Sequence, residues 1–196
     1  MHGAAQKPPS KIYPVSIALY DMNAEIFYKS IESTLGPTLS QLGFVRLKGR
    51  RPVWELRRAN PGVLIEIKYG KYPWEPYSGG SFSIFIRENG RPDESMQSLF
   101  SEISDDDLRV VISITEGCAR KLQAADLSVM SEDGEEVAMY EEWREKDLST
   151  LTASSIKNEI SIVINPRLPF YDEDDAEKWG SFVGCVATRL FQAKRG

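Results

Sequence analysis

The chain has 196 residues, of which 41% are hydrophobic and 27% are charged, and its net charge is −5 at pH 7. This length fits one domain, and this composition supports a buried core. Intrinsically disordered, collagenous and disulfide-scaffold proteins are therefore excluded. We expect a flexible leader over residues 1–21 and a single domain over residues 22–196.

The chain also lacks the sequence features of a membrane or secreted protein. No stretch approaches the ~20 apolar residues that a membrane-spanning helix needs. The first residues contain no apolar segment of the kind found in secretory signals. We therefore expect a cytoplasmic protein without membrane contact.

The first predicted element is a helix over residues 22–42. Its apolar residues recur at three- and four-residue steps: Ile26, Phe27, Ile31, Leu35, Leu39 and Leu42. Gly36-Pro37 interrupts this pattern, so the helix either kinks there or starts again with Pro37 in its first turn. Gly43 fits the left-handed position that ends a helix.

Four strands are predicted next, over residues 44–48, 53–58, 63–69 and 82–86, because apolar and polar residues alternate there. Turn-forming residues separate them at short intervals. A parallel crossover needs a dozen or more residues between strands. The four strands therefore form an antiparallel meander.

The second half of the chain is predicted to be mostly helical. Helices are expected over residues 104–125, 136–148 and 174–194, with a strand over residues 160–164. The fold class is α+β: an N-terminal helix, a four-stranded antiparallel meander, and C-terminal helices packed on one sheet face with a late edge strand. Cys118 and Cys185 lie in apolar helical patterns, so we expect two buried thiols without a disulfide or metal.

Charge is distributed unevenly along the chain. Residues 43–91 contain ten Lys or Arg against four Asp or Glu, whereas residues 92–177 contain seven against twenty-two. The positive charge therefore coincides with the predicted meander, and such a distribution can steer a charged partner.

The connection between the third and fourth strands is rich in aromatic residues. Its four aromatics are Tyr69, Tyr72, Trp74 and Tyr77. Tyrosine and tryptophan dominate interface hot spots, and the two prolines of this loop lower the cost of ordering it. The loop is thus a candidate for contact with a partner, although it could also fold over an open edge of the core with Trp74 as its lid.

The sheet face that points away from the apolar side chains is the second candidate. If Ile65, Ile67 and Ile84 face the core, then Glu66 and the other residues that alternate with these isoleucines along the strands face the opposite side of the sheet. We expect the basic residues of this face to be Arg46, Lys48, Arg57 or Arg58, Lys68 and Arg87. Such a face is typical of a solvated surface, of a site for an acidic protein partner, or of a nucleic-acid platform, where bases would stack on Phe85.

Candidate catalytic residues are few. The single histidine, His2, lies in the leader, which disfavours nucleophilic schemes with an imidazole base and zinc sites built on histidine. Glu66 and Lys68 alternate on one strand face as in metal-dependent nucleases of the Asp-Glu-x-Lys type, with Glu55 as the further acid. The alternative is a charged outer strand face. The acidic runs 105–107 and 172–175 stand where helices begin and are interpreted as caps. We expect no metal and no cofactor.

The run Leu35-Gly36-Pro37-Thr38-Leu39, then Leu42-Gly43-Phe44 and a basic strand, resembles the bacterial family called domain of unknown function 4304, over about residues 24–125. The resemblance implies a small α+β domain without established enzymatic activity, encoded in some members beside toxin or defence genes. It carries no catalytic residues. Together these features predict a non-enzymatic binding protein with a protein partner. The alternative is a metal-dependent nuclease or other nucleic-acid-processing enzyme that uses Glu55, Glu66 and Lys68.

Overall fold

A computed structural model gives the fold of this protein. It describes residues 22–58, 62–88, 97–98, 103–124 and 167–192, with Ala138 and Glu142. The described helices are α1 (Ala24–Gln41), α2 (Asp105–Ala124) and α3 (Glu173–Gln192). The described strands are β1 (Val45–Arg46), β2 (Val53–Leu56), β3 (Val63–Tyr69), β4 (Gly80–Glu88), β5 (Gln97–Ser98) and β6 (Leu168–Phe170). The predicted α+β fold is confirmed.

Helix α1 is bounded by two local signals. The Asn23 side chain accepts hydrogen bonds from the backbone N–H groups of Glu25 and Ile26, at 2.9 and 3.1 Å, and so caps the first turn. The helix continues past Pro37, which excludes a restart at that residue. It ends at Gly43, whose φ of 90° lies in the left-handed region, as predicted.

The sheet is antiparallel throughout its described pairings. Strands β1 to β4 follow one another as the predicted meander, and β5 and β6 both pair with the free side of β4. Strand β5 lies opposite Phe85 and Ile86, whereas β6 lies opposite residues 80–82. Neither short strand was predicted. The predicted leader and the predicted strand 160–164 lie outside the described residues. Of the predicted helix 136–148, only Ala138 and Glu142 are described, and both are helical.

The helices pack against one side of the sheet, here called the helix face. Ile65, Ile67 and Ile84 point into this core, as predicted, and meet apolar side chains of all three helices. Trp179 of α3 is fully buried, and its indole N–H donates to the carbonyl of Pro169 at 2.7 Å. Truncating such a side chain to alanine costs about 4 kcal/mol of stability. The charged strand residues Glu55 and Glu66 lie on the opposite face of the sheet and are nevertheless buried.

Helices α1 and α3 approach each other closely because a glycine lies at their contact. A Cβ atom on Gly180 would lie 2.2 Å from the hydroxyl oxygen of Thr34 and 2.7 Å from the carbonyl oxygen of Ile31. The Thr34 hydroxyl also donates to the carbonyl of Glu177 at 3.0 Å. This contact joins the first and last described helices directly.

The two cysteines differ in environment. Cys118 is buried beside Pro169, and burial, reinforced by the charge of Asp175, raises the pKa of its thiol above the ordinary value. Cys185, by contrast, is exposed on α3, so the expectation of a second buried thiol is wrong. The reason is helical geometry, since Cys185 is two residues from the fully buried Val183 and therefore lies on the other side of the helix.

The acidic runs cap the helices, as predicted. The Asp107 carboxylate accepts from the backbone N–H of Ser104 at 2.6 Å, while the Ser104 hydroxyl accepts from the N–H of Asp107 at 3.3 Å. At α3, Asp172 accepts from the N–H of Asp175 at 3.1 Å. Asp107 also binds Arg189 through both guanidinium termini, which links the start of α2 to the end of α3.

Candidate functional site

The strand register places the candidate acidic and basic residues on the side of the sheet opposite the helix face. Glu66 lies between Val53 and Phe85 in neighbouring strands, and Lys68 lies beside Ser83. Glu55 lies on the neighbouring strand β2, two cross-strand rows from Glu66 and opposite Leu64. Glu55, Glu66 and Lys68 therefore share one face, as the alternation of a strand requires.

Glu66 is the centre of a charge cluster on this face. Its side chain is only 8% exposed, and three cations approach its carboxylate oxygens. Arg51 lies at 3.4 Å, Arg87 at 3.6 Å and Lys68 at 4.0 Å. A buried carboxylate needs such partners, because desolvation otherwise disfavours its charged form. Lys68 also lies over the Phe85 ring, 4.8 Å from its centroid.

Glu55 has a separate partner. Its carboxylate accepts from the Arg57 guanidinium at 2.6 Å, and the two residues follow one another closely in sequence. Both carboxylates that a metal-dependent nuclease would use are therefore already engaged by cations. Among the described residues, the carboxylates close enough to share one metal ion are a different group, described below.

The position of Arg46 differs from the prediction. It lies opposite Trp54, in the same row as Ile65, and therefore on the helix face rather than the basic face. Its guanidinium pairs with Glu32 of α1 at 2.7 Å and lies 5.6 Å from the centroid of the Trp54 ring. Arg46 thus ties the edge of the sheet to α1 and does not contribute to the basic face.

The remaining predicted cations divide between the two ends of the strands. Lys48 is exposed in the β1–β2 turn, together with Arg50 and Arg51. Arg57 is also exposed, with a side chain 69% accessible, but it follows β2 and lies at the other end. Arg87 lies within β4 and is mostly buried, since its side chain is 26% exposed.

The aromatic loop divides into a buried part and an exposed part. Trp74 is buried, its indole N–H donates to the carbonyl of Tyr171 at 2.7 Å, and its backbone N–H donates to the Tyr69 hydroxyl at 3.1 Å. Tyr171 in turn donates its hydroxyl to the carbonyl of Pro76 at 3.0 Å. These bonds hold the loop over the core with Trp74 as its lid.

Other aromatics of the loop face different environments. The Tyr69 hydroxyl donates to the Met22 carbonyl at 3.1 Å, which ties β3 to the start of α1. Tyr77 is half-buried. Tyr72 is 65% exposed, and the ammonium of the exposed Lys71 lies 5.9 Å from its ring centroid. Tyr72 is therefore the aromatic of this loop that a partner could reach most readily.

The register brings the exposed part of the loop and the basic turn to the same end of the sheet. Pro52, the last residue of the β1–β2 turn, accepts a hydrogen bond from the N–H of Ile67 at 3.0 Å. Because β3 then continues directly into the loop, both connections lie at this end. We call it the basic end and define it by six residues: Lys48, Arg50, Arg51, Lys68, Lys71 and Tyr72.

A second charge cluster lies between α2 and the start of α3. The Lys121 ammonium donates to Asp172 and Asp175 at 2.7 Å and to Asp174 at 3.3 Å. Burial opposes the charged form, but these hydrogen bonds outweigh it and raise the pKa of Lys121. The three aspartates are close enough to hold a metal ion, and the ammonium already supplies the positive charge there.

Sequence reasoning missed two of these arrangements. Arg50 and Arg51 were counted within the basic segment 43–91 but were not named as candidate binding residues, although two adjacent arginines before a strand could have been recognised as a positive patch. The pairing of Lys121 with residues more than fifty positions later has no local sequence signal.

Comparison with protein-family models, curated proteins and solved structures finds no significant match to this chain. Among the described helices, none combines the length and the apolar character needed to cross a membrane.

Proposed function

We propose that this protein is a non-enzymatic binding protein that contacts an acidic partner protein through the basic end of its sheet. The observation that supports this most directly is the convergence of five cationic side chains and the exposed Tyr72 at one end of the fold. An exposed tyrosine that lies at the same end of a sheet as five basic residues has the composition of an interface hot spot with a charged rim.

The construction of the loop supports the same proposal. Trp74 and Tyr69 fix the loop to the core, so Tyr72 is presented by a segment that is already ordered. A pre-ordered contact loses less conformational entropy on binding. The resemblance to a bacterial family found beside toxin or defence genes suggests an immunity or defence role in a bacterial cell.

Affinity capture from a bacterial lysate tests the surface. The baits are the wild-type protein, a Lys48→Glu/Arg50→Glu variant and a Tyr72→Ala variant. The control is Arg109→Glu/Arg120→Glu, which makes the same change in net charge at two exposed residues of α2. We expect wild type and control to recover the same acidic protein and both basic-end variants to lose it. Equal recovery by all four baits would show that the proposed surface is wrong.

The immunity role has its own test. A toxin encoded beside this protein should lose its growth inhibition when the two are co-expressed. The Lys48→Glu/Arg50→Glu variant should fail to protect, whereas the α2 control should protect fully. Protection by both variants would separate the immunity role from the basic end.

A metal-dependent nuclease is the second candidate, because Glu55, Glu66 and Lys68 share one sheet face. The ion pairs of both carboxylates argue against it, since a metal ion would have to displace arginine at each. Incubation with magnesium or manganese and labelled DNA or RNA is the test. Cleavage that Glu66→Gln abolishes would favour the enzyme over the binding protein.

A further inference from the structure

The contacts of Glu66 give the basic end a more specific arrangement of charge than its general basic character. Glu66 is a buried carboxylate that contacts Arg51 and Lys68 at 3.4 and 4.0 Å. One carboxylate can balance one of these two cations. Arg51 and Lys68 together therefore carry more positive charge than the Glu66 carboxylate can neutralise.

Both cations keep hydrogen-bonding capacity towards a further anion. Arg51 contacts Glu66 through one terminal nitrogen, and its side chain is 61% exposed, while a guanidinium has five N–H donors. Lys68 lies at 4.0 Å from the nearest Glu66 oxygen, beyond hydrogen-bond distance, and rests on the Phe85 ring. Its ammonium is therefore held in place by charge and by the aromatic ring rather than by a hydrogen bond to Glu66.

We infer that Glu66 is a positioning residue that holds Arg51 and Lys68 ready to bind a carboxylate of an acidic protein segment. This inference rests on the proposed function and assigns the principal contact within it. Cations that are already fixed lose less side-chain entropy on binding, and charge-assisted hydrogen bonds to carboxylates are stronger than neutral ones.

The surroundings of the basic end favour a protein segment over a nucleic acid. The β3–β4 loop contacts Tyr171, which directly precedes the acidic start of α3, where Glu173 and Asp174 are exposed. A nucleic acid carries charge continuously along its backbone, so a strand that crossed the loop from the basic face towards the helix side would pass the start of α3, where Glu173 is exposed. A protein segment can restrict its negative charge to the residues that reach Arg51 and Lys68.

Binding of a fluorescein-labelled oligo-glutamate peptide, followed by fluorescence anisotropy at low salt, tests this role. Glu66→Gln removes one negative charge from the basic end, so a purely electrostatic surface would bind the peptide more tightly. A positioned site would bind it more weakly, by about fivefold. The matched control is Glu55→Gln, which removes the same charge from the same face but leaves Arg51 and Lys68 anchored.

The inference is overturned if Glu66→Gln binds the peptide as tightly as Glu55→Gln does. If the wild-type protein does not bind the peptide at all, the proposed function itself fails. Tighter binding of wild type to an oligothymidylate strand than to the peptide would replace the protein partner by a nucleic acid and would also overturn the inference.

A measurement on the wild-type protein covers the case in which Glu66→Gln does not fold. In ¹H–¹⁵N spectra, peptide addition should shift the side-chain N–H signal of Arg51 strongly and that of Arg57 weakly. Equal shifts at the two arginines would contradict a positioned site.

Discussion

Two clusters of charge in this protein have opposite compositions. In the first, one cation meets three carboxylates: Lys121 with Asp172, Asp174 and Asp175. In the second, one carboxylate meets three cations: Glu66 with Arg51, Lys68 and Arg87. The first has contacts as short as 2.7 Å, whereas all contacts of the second are 3.4 Å or longer.

The difference shows which cluster stabilises the fold and which one is suited to binding. Asp175 is only 1% exposed, so Lys121 is needed to neutralise a charge that water cannot reach. Around Glu66 the carboxylate is the buried member, and two of its three cations, Arg51 and Lys68, keep access to solvent. We therefore infer that the Lys121 cluster stabilises the contact between α2 and α3, whereas the Glu66 cluster positions cations at the surface.

The largest expected loss of stability comes from removing the ammonium of Lys121. Lys121→Met leaves Asp175 buried without its ammonium and should lower the free energy of unfolding by about 3 kcal/mol. Urea denaturation measures this loss. The control is Lys178→Met, which removes an exposed partner of Asp174 and should cost less than about 1 kcal/mol. Similar losses in the two variants would mean that Lys121 is an ordinary surface ion pair.

A smaller loss of stability is expected at the other cluster. Glu66→Gln should lower the free energy of unfolding by about 1.5 kcal/mol, because Arg51 and Lys68 can still be hydrated when they lose their carboxylate. The same urea measurement applies. A loss as large as that of Lys121→Met would show that both clusters stabilise the fold to the same extent. The distinction between a stabilising cluster and a binding cluster would then be wrong.

The ion pair between Asp107 and Arg189 gives the smallest effect, and it depends on pH. Hydrogen bonding from Arg189, opposed by partial burial, lowers the pKa of Asp107 to about 2. The unfolded value is about 3.9, so the pair stabilises the fold above pH 4 and loses this contribution as pH falls from 4 to 2. Because Arg189 is 46% exposed and therefore screened, the contribution should be below about 1 kcal/mol.

Comparison of the wild-type protein with Asp107→Asn isolates this contribution. The difference between their free energies of unfolding should be largest near pH 5 and should shrink towards pH 2. Asp106→Asn is the control, since that carboxylate is 90% exposed, and its difference from wild type should change little with pH. A difference that stays constant from pH 5 to pH 2 would contradict the assigned pKa.

The meander was predictable because its signals are local. Strand β3 has the predicted bounds, since alternation over seven residues defines a strand face without reference to any partner. Strands β5 and β6 have two and three residues and are defined only by pairing with β4. Strands this short cannot show a clear alternation of apolar and polar residues, so β5 and β6 are difficult to recognise from the sequence.

The candidate site was predictable in composition but only partly in position. The face shared by Glu66 and Lys68 follows from one strand, but the side of Arg46 depends on the register between β1 and β2. That register is set by the turn and by contacts with α1, which the sequence does not specify. The side of Cys185 could have been predicted, because a helical wheel centred on Val183 places it away from the core.

The close contact between Gly180 and Thr34 has a consequence for the order of folding. Helix α1 ends at Gln41, but the helix that packs against it does not begin until Glu173. The contact joins segments separated by more than 140 residues, and such long-range contacts form slowly because a large loop must close first. Helix α1 therefore cannot make this contact until α3 has been synthesised, and a nascent chain exposes apolar surface of α1 until then.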